Sequence, residues 1–205
     1  MGFGLLFLGY IFTVFDTGIL FIDSISAVFM QGFRILGWLL VTAGSFKLSC
    51  YINKFFYARA AAAGLFSLSL ADTVCHIMTV YLDIPISVYI RTVIFMLYAM
   101  AYFMFHFYAL GGLCDITAEV GLEKENKRAK KMFLITMVFC AVNLVSYIGI
   151  SDILTSARYV LFVFVTVLNA FLIYTCYMWI CLPKDKEVSQ QASQKEKKEN
   201  GKDKK

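Results

Sequence analysis

The sequence has few charged residues and very little proline. Only 16% of its 205 residues are Asp, Glu, Lys or Arg, and its two prolines are Pro85 and Pro183. A soluble domain is typically about 25% charged. Since 60% of the residues are hydrophobic, the chain carries more apolar surface than a core of this size hides from water. The composition therefore predicts a membrane protein, and in lipid the backbone favours uninterrupted helices.

Familiar enzyme signatures are also missing. The chain has no His-Glu-x-x-His, Gly-x-Ser-x-Gly, P-loop or Gly-x-Gly-x-x-Gly motif. Its two histidines, His76 and His106, are separated by roughly 18 Å along the membrane normal when helical rise is used as a ruler. A metal shared with Asp72 is excluded at that separation. We expect no cofactor, no metal, no catalytic residue and no nucleic-acid partner; an intramembrane enzyme is disfavoured rather than excluded.

Short polar clusters divide the chain into six apolar stretches. Each stretch is close to the roughly 20 residues that a helix needs to cross the hydrocarbon core. The first lacks the basic flank and cleavage site of a signal peptide, so we expect it to be retained. The pattern predicts an all-α bundle of six transmembrane helices, at Gly4–Ile22, Ala27–Phe46, Ala58–Leu82, Val88–Leu113, Met132–Ile150 and Ala157–Leu182.

The basic residues lie almost entirely on one side of this arrangement. Sixteen of the 19 Lys and Arg residues fall between the second and third helices, between the fourth and fifth, or after Pro183. The positive-inside rule places these segments in the cytoplasm. We therefore expect a multi-pass protein of the cell membrane, with both termini cytoplasmic and three hairpins that point outward.

Two domains follow from the same pattern. Residues 1–182 form the transmembrane domain, with a charged cytoplasmic connector at 114–131 whose last turns join the fifth helix. Residues 183–205 are Lys, Glu, Gln, Ser and Asp with almost nothing apolar. Such a segment cannot bury enough surface to offset the entropy of ordering, so we expect a disordered tail.

The three outward loops share a pattern of Asp, then Ser, then Arg. One interpretation is an ancestral repeat of three helical hairpins, since membrane transport proteins are often built from repeats. The other is local: Ser caps helices well, and Asp is a natural turn residue. The aspartates are Asp23, Asp83 and Asp152, and the arginines are Arg34, Arg91 and Arg158.

Ionisable residues at membrane depth form the candidate site. Asp16, Arg34, Asp72 and His76 fall within the predicted spans, where charged groups are costly and face protein or water. Asp72 and His76 are four residues apart and share one helix face. Similar depths make an Asp16–Arg34 pair plausible. A proton-linked or cation-binding role and a purely local packing role both fit this pattern.

Lower-ranked candidates are Asn143 and the fourth-helix row Tyr98, Tyr102 and His106. The row fits either a polar crevice or an aromatic packing stripe. On the third helix, small residues recur at four-residue spacing, which lets membrane helices approach closely. We therefore expect that face to pack inside the bundle together with Asp72 and His76. The small residues are Ala60, Ala63, Gly64, Ser67, Ala71 and Cys75.

The segment Phe46-Lys47-Leu48-Ser49-Cys50-Tyr51-Ile52-Asn53-Lys54-Phe55-Phe56 and the helix layout resemble small six-helix membrane proteins of Gram-positive bacteria. The resemblance implies a bacterial cytoplasmic membrane and brings no activity with it. The leading hypothesis for function is a small-solute or ion-coupled transporter-like bundle with a polar intramembrane site. The alternative is a non-catalytic partner, sensor or scaffold that acts through the connector and tail. Expected partners are the lipid bilayer and either a second copy or another membrane protein.

Overall fold

A computed structural model describes residues 2–14, 24–146 and 152–181, with side chains described at 2–13, 31–144 and 160–180. The described chain is all-α, with six helices and no strand in these ranges. The predicted disorder of residues 183–205 lies outside them. The helices are α1 Gly2–Val14, α2 Ser24–Ser49, α3 Lys54–Tyr81, α4 Val88–Glu119, α5 Glu123–Ser146 and α6 Asp152–Cys181.

Each helix packs against the next along the chain, and α6 returns to pack against α1. The six helices therefore form a closed ring in chain order. Each neighbouring pair is antiparallel, because contacts join the early part of one helix to the late part of its neighbour. Representative contacts are Gly9–Gly37, Phe46–Arg59, Lys54–Asp115, Cys114–Asn126, Phe139–Phe162 and Phe7–Tyr174.

Aromatic rings fill the middle of the ring. Trp38 of α2 packs edge-on against Phe105 of α4, with ring centroids 5.4 Å apart. Tyr10 of α1 reaches the same Phe105 at 6.0 Å, and Tyr102 meets Phe162 of α6 at 5.6 Å. Aromatic pairs at these separations stabilise a core beyond the area they bury. The centre is therefore a packed core to which α1, α2, α4 and α6 all contribute.

The helices α1 and α2 approach each other closely where their described residues meet. Gly9 faces Gly37, and Gly2 faces Gly44, so that backbone lies directly on backbone at two levels. A Cβ atom at Gly44 would lie 2.8 Å from the Leu6 nitrogen. Small residues at seven-residue spacing on both helices permit this approach, as in other membrane helix pairs.

The connector predicted at 114–131 is mostly helical. α4 continues through Glu119 and α5 begins at Glu123, so three residues link them. Gly121 has a φ of 75°, and the Leu122 amide donates to the Thr117 carbonyl at 2.9 Å. This is a Schellman C-cap, which requires a left-handed residue and is served best by Gly. The predicted end of the fourth helix at Leu113 was wrong by six residues because charged residues continue a helix once it has left an apolar layer.

The link between α3 and α4 turns on Asp83, whose φ is 52°. Asp tolerates this left-handed conformation better than most residues, in agreement with its predicted turn role. Ser87 is the N-cap residue of α4, but its side chain makes no capping hydrogen bond. Arg91 Nη2 donates to Thr79 Oγ1 at 2.8 Å, which fastens the start of α4 to the end of α3.

Three helical segments are long and apolar enough to cross a membrane: Lys54–Tyr81, Val88–Glu119 and Val160–Ile180. Gly2–Thr13 is apolar but shorter. These counts cover only the residues described above. The helices indicate a membrane protein, and the six-span arrangement with cytoplasmic termini stays a prediction.

The face of α3 that packs inward differs from the predicted one. Ala58, Ala62, Leu65 and Ser69 are buried. The expected small-residue face is instead largely exposed, and a Cβ atom at Gly64 would meet nothing within 4 Å. Small size alone is therefore a poor guide here, because Leu65 and Phe55 also lie on the buried face.

Candidate functional site

Arg34 and Asp72 form an ion pair between α2 and α3. Arg34 Nη2 lies 2.7 Å from Asp72 Oδ2 and donates a hydrogen bond to it. The two side chains are only 10% and 17% exposed. Ion pairs of this kind in a membrane helix face the interior because an isolated charge there is costly. The structure thus brings together two of the four predicted site residues.

The guanidinium of Arg34 also touches α4. Its Cζ atom lies 5.8 Å from the centre of the Tyr98 ring, within the range of a cation–π interaction. The Tyr98 hydroxyl in turn accepts a 2.8 Å hydrogen bond from Trp38 Nε1. We call Arg34, Trp38, Asp72 and Tyr98 the Arg34 cluster. It joins α2, α3 and α4 through one charged group.

The predicted row on α4 continues from this cluster into the centre. Tyr98 and Tyr102 are stacked with centroids 6.5 Å apart, and Tyr102 lies 4.0 Å from the His106 ring. Tyr102 is 3% exposed and His106 is fully buried. The row is therefore both an aromatic packing stripe and a line of polar atoms inside the bundle.

His76 lies one turn beyond Asp72 on α3. Its Nε2 atom is buried and has no hydrogen-bond partner among the described residues. Asn143 is half-buried on α5, which lies across the ring from α2. Asp16 falls outside the described residues, so the predicted Asp16–Arg34 pair stays a prediction.

Sequence reasoning missed Trp38 and Tyr10. Trp38 follows Arg34 by four residues and therefore lies on the same face of α2. That spacing is a signal that could have found it. Tyr10 meets His106 edge-on, with centroids 5.7 Å apart and planes at 88°. Nothing local predicts this contact, because it depends on how α1 is placed relative to α4.

Within the described ranges, no three His, Cys, Asp or Glu side chains come close enough to hold a metal. Five of the cysteines are described, and all five are free thiols: Cys50, Cys75, Cys114, Cys140 and Cys176.

A second ion pair provides a useful contrast. Lys54 Nζ lies 2.7 Å from Asp115 Oδ2, joining the start of α3 to the end of α4. Its side chains are 46% and 40% exposed, so water screens the pair and its contribution to stability is small. The Arg34–Asp72 pair is shielded from water, so removing its charge-assisted hydrogen bond affects stability more than removing the exposed Lys54–Asp115 pair does.

The chemistry available to the Arg34 cluster is a change of charge at Asp72. While Asp72 is ionised, it holds Arg34 between α2 and α3. Loss of the carboxylate charge weakens that hold on the guanidinium, which also contacts the Tyr98 ring. A local change of this kind can shift the packing of three helices at once.

Comparison with known proteins adds no identity: no family model, no curated protein and no solved structure matches the chain.

Proposed function

We propose that the chain is a six-span membrane protein, with both termini in the cytoplasm, that moves a small solute or ion in response to protonation of Asp72. The observation that carries the proposal is the shielded ion pair between Arg34 and Asp72. Ionisable residues inside a bundle are expensive to keep and commonly mark ion pathways or proton relays.

The position of the pair supports a coupling role. It joins α2 to α3 directly and reaches α4 through Tyr98. A helix interface can also be held by close packing, as between α1 and α2, where glycine backbones meet. A charge pair here adds a dependence on protons or cations that apolar packing does not have.

The proposed cycle has two states. In the first, ionised Asp72 binds Arg34 and α2 stays against α3. In the second, protonated Asp72 no longer neutralises Arg34, and the interface relaxes so that polar groups along α4 become accessible. A ligand or ion shifts the equilibrium between the two states only to the extent that it binds one of them better than the other.

The test uses purified full-length protein in liposomes that contain a pH-sensitive dye. An imposed proton gradient and membrane potential should drive dye-reported proton flux above that of empty vesicles. Asp72→Asn, which keeps the shape but removes the titrating group, should reduce this flux at least tenfold. Asp115→Asn is the matched control, because it removes a carboxylate from the exposed Lys54 pair and should leave the flux within twofold of wild type.

Full flux in a folded Asp72→Asn protein overturns the role of Asp72. Wild-type vesicles that conduct no better than empty ones overturn the proton-coupled proposal altogether. In either case the alternative of a partner, sensor or scaffold becomes the better hypothesis. Removing residues 183–205 and measuring binding of the membrane or protein partner then tests it.

A further inference from the structure

The exposed side of α5 changes from basic to apolar along the helix. Its first turns carry five basic residues, all of them exposed: Lys124, Lys127, Arg128, Lys130 and Lys131. The following turns carry four exposed apolar residues: Leu134, Ile135, Val138 and Val142. The change falls at Met132, where the predicted fifth span begins.

The basic and apolar side chains lie on the same side of the helix. Leu134, Ile135 and Val138 each follow a basic residue by seven positions. Seven residues make nearly two full turns, so each apolar side chain points within about 20° of the basic one before it. We call these six side chains the outer face of α5; its basic members are Lys127, Arg128 and Lys131.

The opposite side of the same turns is packed. Glu125 and Ala129 are 7% and 0% exposed. The Asn126 side-chain amide donates to the Cys114 carbonyl at 2.6 Å and to the Thr117 hydroxyl at 3.0 Å. The start of α5 is therefore fastened to the end of α4, and its basic side chains are oriented before any ligand arrives. Such preorganisation lowers the entropy cost of binding.

The positive charge of the outer face is available to a partner. Within the described residues, no carboxylate forms an ion pair with any of its three basic side chains. The exposed acids closest in sequence are Glu119 and Glu123, and both precede the basic residues. The five exposed cations outnumber these two acids, so this end of α5 keeps an excess of positive charge.

We infer that the outer face of α5 binds anionic phospholipids, with the headgroup phosphate at Lys127, Arg128 and Lys131 and the acyl chains along the apolar residues that follow. The inference rests on α5 crossing the membrane, as proposed above. Basic clusters beside a membrane span attract anionic headgroups, and Arg can bind a phosphate through two parallel hydrogen bonds. Long basic side chains also reach from an apolar layer to the polar headgroups.

The apolar half of the face favours a lipid over other anions. A free phosphate or an acidic soluble protein would use the positive charge and gain nothing from the apolar side chains two turns further on. A phospholipid matches both halves, in the same order along the helix. The positive-inside rule requires cations on one side of the membrane, but it does not require them to line up with exposed apolar residues of one helix.

The test measures which lipids the full-length protein retains. Protein is placed in nanodiscs of equal parts phosphatidylglycerol and phosphatidylcholine, then extracted in mild detergent, and bound lipids are counted by native mass spectrometry. We expect wild type to retain phosphatidylglycerol preferentially. The triple variant Lys127→Gln, Arg128→Gln, Lys131→Gln should lower the ratio of the two retained lipids about tenfold. The exchange Lys127→Arg, Arg128→Lys, Lys131→Arg keeps the charges and should retain the preference.

A second triple variant is the control for net charge. Lys195→Gln, Lys197→Gln and Lys198→Gln remove the same charge from the segment after Pro183 and should leave the lipid ratio within twofold of wild type. An equal loss in both neutralised variants shows that only total charge matters and overturns the site. A wild-type protein that retains both lipids equally also overturns it. Unchanged thermal unfolding verifies that the exposed substitutions leave the fold intact.

Salt addition to the wild type separates a lipid from a free anion. Sodium phosphate added during extraction should displace no more phosphatidylglycerol than sodium chloride at the same ionic strength, because both salts only screen charge. Stronger displacement by phosphate identifies a site for free phosphate and overturns the assignment to lipid.

Lipid retention and proton flux fail independently. Asp72→Asn should retain phosphatidylglycerol as wild type does, because Asp72 lies on α3 in the Arg34 cluster. Flux without lipid preference overturns the lipid site alone. Lipid preference without flux overturns the transport proposal alone.

Discussion

Gly9 and Gly37 lie back to back in α1 and α2, each closing off the space where the other would carry a side chain. A Cβ atom at Gly9 would lie 2.8 Å from the Gly37 carbonyl oxygen, and one at Gly37 would lie 3.0 Å from the Gly9 carbonyl oxygen. These obstacles are backbone atoms, which cannot move aside without separating the helices. The contact sets the spacing of α1 and α2, and thus the position of Arg34 three residues before Gly37.

We expect Gly37→Ala to destabilise the protein by about 1–3 kcal/mol, the usual cost of overpacking. Gly32→Ala is a matched control on the same helix, because nothing lies within 4 Å of a Cβ atom there. Alanine is the better helix former, so the control should be neutral or slightly stabilising. Thermal unfolding in detergent compares the two. Equal stability of the two variants would contradict the close packing of α1 on α2.

Two adjacent glycines in α4 provide a second comparison between a crowded and an open position. A Cβ atom at Gly112 would come within 2.7 Å of the buried Phe55 ring, whereas one at Gly111 would meet only the flexible end of Lys54 at 3.6 Å. Gly112→Ala should therefore lower the Tm, and Gly111→Ala should not. If Gly111→Ala lowers the Tm and Gly112→Ala does not, then the face of α4 that packs against Phe55 is wrongly assigned.

The hydrogen bond from Trp38 Nε1 to the Tyr98 hydroxyl should be measurable by a double-mutant cycle. Trp38→Phe and Tyr98→Phe each remove one partner, and hydrogen bonds between membrane helices contribute about 0.6 kcal/mol on average. We expect a coupling energy of that order from unfolding in detergent. A coupling energy indistinguishable from zero would show that the indole and phenol are not bonded in the folded protein.

The predicted orientation places Cys50 inside the cell and Asp83 outside. Cys50 is an exposed thiol, and Asp83 lies in the exposed link between α3 and α4. In variants that retain a single cysteine, a membrane-impermeant maleimide should label Asp83→Cys in intact cells. Cys50 should react only after permeabilisation. The reverse pattern would invert the topology, and labelling of both in intact cells would exclude a span between them.

Much of the helix layout was readable from the chain because polar clusters interrupt apolar runs. The predicted start of the fourth helix at Val88 coincides with α4, and the third helix ends within one residue of the prediction. The extension of α4 to Glu119 was missed because hydropathy marks the apolar layer and does not mark the end of the helix. Its true end is encoded by Gly121, whose left-handed φ allows the C-cap.

The candidate site was only partly predictable for a different reason. Periodicity tells which residues share a face, and it placed Tyr98, Tyr102 and His106 in one row, where their rings are neighbours. It does not tell which helix lies opposite that face. The partner of Asp72 is 38 residues away in sequence. The contact of Tyr10 with His106 joins α1 to α4, which are not neighbours along the chain. Such contacts depend on how all six helices pack together.

The contact between α1 and α6 has a consequence for how the chain could be cut and rejoined. Phe7, in the first half of α1, packs against Tyr174, near the end of α6. The start of α1 and the end of α6 therefore lie on the same side of the ring. A gene in which α6 is joined to α1 and new ends are opened between Leu82 and Ser87 would encode the same cyclic order of helices. The order of the helices around the ring is the same whichever helix comes first in the chain.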